Sequence, residues 1–92
     1  MKRTLPVHVT AYARSKEFDA TSVPDKFLSH HDLKAGTWGR LQVMAGGVTF
    51  FTEGEDEPLA VLRSVDELVI CPEERHYVQL SDDAVFFVEF YK

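Results

Sequence analysis

The sequence predicts an all-β fold built as one domain over residues 1–92. Three observations carry that expectation. Short β-branched and aromatic runs recur throughout the chain, separated by Gly, Pro, Asp and Ser. No stretch of a dozen residues sets apolar side chains at helical three-and-four spacing between a cap and a stop. A length of 92 residues supports one core and leaves no room for a second module.

Taken in order, Leu5, Val7, Val9 and Ala11 alternate with Pro6, His8, Thr10 and Tyr12, the two-residue period of a strand with one buried face. Pro24 marks residues 21–25 as a connection. Residues 27–31 read as a short strand before a turn at Gly36, and residues 38–44 as a longer one. Ala45-Gly46-Gly47 joins that strand to residues 48–53, and paired glycines at a tight connection predict a hairpin with positive backbone angles. A solvated acidic loop follows, Gly54-Glu55-Asp56-Glu57-Pro58. Strands over 59–63 and 67–71 flank Ser64-Val65-Asp66, and Pro72 ends the second. Residues 76–80 and 84–91, joined by Ser81-Asp82-Asp83, complete about eight short strands, the pattern of a sandwich or barrel. Residues 84–91 are apolar on both faces, which predicts a central strand or one covered by a partner subunit. No internal repeat, low-complexity tract or linker interrupts the chain.

Composition narrows the function classes. The chain is 45% hydrophobic and 12% aromatic, ample for a core. Ten Lys and Arg stand against fifteen Asp and Glu, a formal charge of −5, with acids gathered at residues 53–57 and at Asp82 and Asp83. Such a surface repels phosphate backbones, so no nucleic-acid partner is expected. The start is basic, but Pro6, His8 and Thr10 break the apolar run after it, so neither a signal peptide nor a membrane span is expected. The only cysteine, Cys71, ends the apolar run Leu68-Val69-Ile70 and predicts a buried reduced thiol, and hence a cytoplasmic protein.

Four polar residues stand out against this background. Glu89 shares a strand face with Val85, Phe87 and Tyr91, where an unpaired carboxylate costs several kcal/mol or shifts its pKa. It needs a metal, a proton, an arginine such as Arg40 or Arg63, or exposure at the strand end. His76 alternates with Val78 and Leu80, so its ring points inward. His30 and His31 are adjacent, face opposite sides of a strand, and are not separated by the alternation. Histidines and a carboxylate on different strands match a His/His/carboxylate metal site with open positions. No nucleophile elbow and no phosphate-cradling glycine loop is present.

Several segments are familiar together: His31-x-x-Lys34-x-Gly36-Thr37-Trp38-Gly39-Arg40-Leu41, Val43-Met44-x-Gly46, Pro72-x-x-x-His76, and Phe87-Val88-Glu89-Phe90-Tyr91. From about Thr10 to Tyr91 the chain resembles the TehB/YeaR-like family, small cupin-like domains found alone or at the N-terminus of some tellurite-resistance methyltransferases. The resemblance implies a cupin-like barrel of the double-stranded β-helix or jelly-roll kind. It implies converging polar positions at His31, His76 and Glu89, with Arg40 nearby as an anion-binding or carboxylate-orienting group, and it selects His31 over His30. The His-x-His pair and following Glu of ordinary metal cupins are missing around Trp38, and the methyltransferase module is missing too. The function this implies is a stress-associated domain that holds a divalent metal, zinc or iron, on His31, His76 and Glu89, with room for a small anionic ligand. The alternatives are a metal-free small-molecule-binding module in which Glu89 pairs with Arg40, and a homodimeric interaction module that covers Phe86, Val88 and Phe90, or Phe51.

Overall fold

The computed structural model describes residues 3–29 and 31–92. Its strands are β1 (Ala11–Arg14), β2 (Phe18–Asp19), β3 (Trp38–Ala45), β4 (Gly47–Thr52), β5 (Ala60–Arg63), β6 (Glu67–Ile70), β7 (His76–Leu80) and β8 (Val85–Tyr91). The helical element among the described residues is one 3-10 turn, Asp25–Leu28. The class is therefore all-β, and every strand pair is antiparallel.

The strands form two sheets. The larger runs β1-β8-β3-β6, with β2 also pairing β8, and the smaller runs β5-β4-β7. Among the described residues no ladder joins them into a closed barrel, the form the sequence led us to expect. They face one another across a shared core of Leu41, Val43, Val48, Phe50, Leu62, Ile70, Val78, Phe86 and Val88. Burying each such side chain stabilises the fold by about 1.5–3 kcal/mol. β8 is central, as its apolar character requires. On its outer face Phe87 is sealed by the Arg14 guanidinium, 3.8 Å from the ring centroid.

Three local readings change. Gly46 has the positive φ expected of it, 66°, yet β3 and β4 do not pair: the glycines turn a corner from one sheet into the other. The corner exists because the backbone there lies against the β7–β8 connection. A Cβ on Gly46 would come 2.6 Å from the Ala84 nitrogen and 2.6 Å from Asp83 Oδ1. Phe27 and Leu28, expected in a short strand, close the 3-10 turn instead, because Pro24 presets the backbone at φ −62° and its carbonyl accepts the Phe27 N–H at 3.0 Å, and His31 makes an isolated bridge to His76. The alternation before Tyr12 does not build a strand over residues 5–10; Ala11 opens β1. Pro6 offers no donor, Val7 is fully exposed, and pairing starts only where Thr10 and Lys92 exchange backbone hydrogen bonds at 3.0 and 3.1 Å.

Replacing Gly46 by Ala should lower unfolding stability by about 3 kcal/mol in urea, since it adds left-handed strain to a backbone clash. Gly54 also has a positive φ, 85°, but a Cβ there meets nothing within 4 Å. Gly54→Ala should cost only about 1 kcal/mol. Equal losses would contradict the corner.

Candidate functional site

His31 and His76 meet through their backbones. His31 N–H donates to the His76 carbonyl at 2.9 Å and His76 N–H returns the bond at 2.8 Å, an antiparallel pair at the first residue of β7. Residues opposite each other in such a pair project to the same side. The two rings accordingly lie edge to face with centroids 5.0 Å apart. His31 also meets Phe27 edge-on at 5.0 Å, and His76 stacks on Phe50 at 4.9 Å. Both imidazoles line an enclosed cavity of about 20 Å³, walled by Leu33, Leu41, Val88 and Phe90 among others. That volume holds about one water molecule. The wall on the side of Phe27, His31 and Leu33 is half-buried, whereas His76 is 3% exposed.

The protonation of His76 follows from one bond. Its Nδ1 lies 2.8 Å from the Glu74 carbonyl oxygen. A carbonyl only accepts, so Nδ1 carries the proton. Burial holds the His76 pKa below its ordinary value, against an opposing pull from the Glu74 carbonyl and carboxylate. Burial lowers His31 too, helped by His76 and Lys26. Both rings are therefore neutral at pH 7, and Nε2 of His76 keeps a lone pair on the side of the ring away from the backbone.

The connection from β6 to β7 delivers that carbonyl. Glu73 takes a left-handed backbone, φ 60°, and its N–H donates to the Leu33 carbonyl at 2.8 Å. Arg75 is tied to the end of β4 by a 2.7 Å ion pair with Glu53 and by a 3.0 Å bond from the Glu53 N–H to its carbonyl. Cys71, expected to be buried, is half-buried and free.

Glu89 does not join the histidines. Along β8, Phe86, Val88 and Phe90 face the cavity, and the pleat turns Glu89 to the opposite side of the sheet. There it accepts from Arg40 Nη2 at 2.9 Å and from the Tyr91 hydroxyl at 2.6 Å. Arg40 lies directly across on β3 and also donates to Glu67 at 2.9 Å. The Tyr91 hydroxyl and then the Arg40 guanidinium hold the Glu89 carboxyl below its usual range. The convergence of His31, His76 and Glu89 around one centre is thus replaced by an interior histidine pair and an exterior ion-pair cluster. Arg40 belongs to the latter and does not reach the cavity. Among the described residues no group of three or more His, Cys, Asp or Glu side chains is placed to hold a metal ion. His30 lies outside the described residues.

With this geometry in view, the comparisons with known proteins are decisive for kinship. The TehB-like domain family matches residues 13–88. The chain belongs to the TehB-like family. A crystal structure of a protein from E. coli (strain K12) superposes with a TM-score of 0.85 at 23% identity, covering 98% of this chain and 96% of that one. TehB from Haemophilus influenzae superposes with a TM-score of 0.73 at 26% identity over 90% of this chain, which spans only 31% of that longer protein. No curated protein matches by sequence.

The sequence pointed to His76 through its inward alternation and the Pro72 turn. It gave no signal for Glu74, whose part is played by a main-chain carbonyl, nor for Phe27 and Phe50 as ring partners. Among the described residues no helix is long and apolar enough to cross a membrane.

The unfolded chain takes up protons on these imidazoles more readily than the folded one. The stability of the neutral pair is complete above the ordinary imidazole pKa of 6.5 and is lost as pH falls through it toward the lowered folded values. The urea midpoint should therefore fall between about pH 7 and pH 5.5, and fall less steeply in His31→Gln. An unchanged midpoint would contradict a neutral buried pair. Glu89→Gln, on the outer face, should cost about 0.5 kcal/mol and leave both imidazole titrations where they are.

Proposed function

We propose that this TehB-like domain is a small-molecule-binding module related to tellurite-resistance proteins, a cupin-like jelly roll whose binding centre is the His31–His76 pair. The observation that supports this most is the commitment of His76 Nδ1 to the Glu74 carbonyl, which leaves a neutral imidazole lone pair facing an apolar, enclosed space. Such a site favours a small neutral molecule or weak acid that donates a hydrogen bond. It disfavours an anion, because the Arg40 guanidinium is occupied by Glu67 and Glu89 outside the sheet and that of Arg3 by Glu74. A ligand larger than water enters by displacing the half-buried side around Phe27 and Leu33. The pairing of Glu89 with Arg40 is what the metal-free reading calls for.

One observation favours a second reading, a divalent zinc or iron ion. An imidazole that donates its other N–H to a backbone carbonyl is oriented as metal-binding histidines usually are. Two imidazoles would then supply the protein ligands, with water or a small ligand at the rest. The three-ligand set with Glu89 does not fit, since its carboxylate lies on the other face. A homodimer would not use Phe86, Val88 and Phe90, which point into the core, but the outer face of the smaller sheet, which carries Phe51. There Phe51 and Tyr77 stack at 4.7 Å beside the exposed Leu59 and Val61.

Elemental analysis of protein purified without chelator, followed by thermal-shift titration with zinc and with small neutral donors, separates the readings. The small-molecule module predicts no stoichiometric metal and a stabilisation by donors that His31→Ala and His76→Ala abolish and Glu89→Gln retains. Stoichiometric metal lost in both histidine variants establishes the second reading. Stabilisation that survives both histidine variants overturns the site. Light scattering reads the oligomer, and a strict monomer at high concentration removes the dimer.

A further inference from the structure

Arg3 reaches across 71 positions of sequence to the segment that carries His76. Its Nη1 and Nη2 donate to the two carboxylate oxygens of Glu74 at 2.6 and 2.7 Å, a two-pronged pair. Nη1 also donates to the Val69 carbonyl at 3.3 Å and approaches Cys71 Sγ at 3.6 Å. Every one of these partners lies on β6 or on the connection from β6 to β7. The pair is sheltered, with side-chain exposures of 15% for Arg3 and 25% for Glu74, and among the described residues it is Arg3 that binds this carboxylate.

Glu74 has two functions in this arrangement. Its carboxylate takes Arg3, and its main-chain carbonyl takes the Nδ1–H of His76. The residue before it, Glu73, is in a left-handed conformation that non-glycine residues rarely adopt, so the connection must be held in shape from outside. The Leu33 carbonyl holds one side of it through the Glu73 N–H, and Arg3 holds the other.

We propose that Arg3 is a positioning residue for His76, clamping Glu74 so that its carbonyl keeps the proton on Nδ1 and the lone pair on Nε2 facing the cavity. The arm before β1 thereby sets the polarity of the site. With the clamp closed the cavity offers an acceptor, suited to a hydrogen-bond donor or a metal ion. With it open the imidazole returns toward the mixture of tautomers found in water, and the cavity offers an acceptor in one and a donor in the other. The raised pKa of Arg3, caused first by its bond to Glu74, agrees with a pair that stays ionised throughout the working pH range. This inference concerns the same histidine as the proposed binding site, but its test needs no ligand.

The test is long-range ¹H–¹⁵N spectroscopy of the histidine rings at about pH 7.5, where imidazoles are neutral, in the wild type, Arg3→Ala, Arg3→Lys and Glu74→Gln. The wild type should show His76 solely as the Nδ1–H tautomer. In Arg3→Ala and Glu74→Gln the ring shifts should move toward those of the exposed His8, with loss of the exclusive signature. Arg3→Lys, which keeps one charged donor, should recover most of it. Unchanged His76 shifts in both Arg3→Ala and Glu74→Gln, with the core amide spectrum intact, overturn the proposal. So does global unfolding of both, which would make the pair a requirement of the fold and not of the ring. A tautomer shift in a protein that binds no donor and no metal would leave the clamp standing and remove the binding reading.

Discussion

Because β8 runs through the middle of the larger sheet with paired strands on both edges, its pleat is fixed from two sides, and that pleat decides what lies inside this protein. Phe86, Val88 and Phe90 turn toward the smaller sheet, while Glu89 and Tyr91 turn away. A slip of one residue would bury the carboxylate and expose three core side chains, a loss of many kcal/mol. The register against β3, with Arg40 opposite Glu89, is therefore enforced by burial on one face and by an ion pair on the other.

The same division separates the chemistry. Outside, Arg40 bridges Glu67 and Glu89, and Tyr91 adds a short hydrogen bond, all in partial contact with water where such pairs are worth little. Inside, two imidazoles stand against aromatic rings and aliphatic walls. Neutral nitrogen in an apolar space is selective: it rejects anions and accepts donors or cations with empty coordination positions. The main-chain carbonyl of Glu74 converts that general preference into a defined tautomer, and the Arg3 pair carries the arrangement back to the other end of the chain.

The strands from β3 onward are legible in the sequence because each buries one face against the core, and alternation records that directly. The same rule misleads before Thr10, where alternation is present but the backbone joins no ladder. It also misleads at Phe27 and Leu28, where Pro24 starts a turn and Phe27 packs against the core. At Gly46 residue type reveals the backbone angle but not which sheet the next strand joins, since that depends on the distant Ala84. The family resemblance named His31, His76, Glu89 and Arg40 together. The structure keeps the two histidines together and Glu89 with Arg40, and separates the pairs by a sheet. Alternation already held that separation, since Glu89 and the inward Val88 are neighbours on one strand. The links made by main-chain carbonyls and by an arginine 71 positions away leave no periodic trace.

The central claim is that the imidazoles and the Glu89 carboxylate occupy opposite faces of the larger sheet, and through-space NMR on the unliganded protein tests it most directly. The account predicts cross-peaks from the His76 ring to His31 and Phe50, and from the Glu89 methylenes to Tyr91 and Arg40. Cross-peaks between the Glu89 methylenes and either imidazole would contradict it.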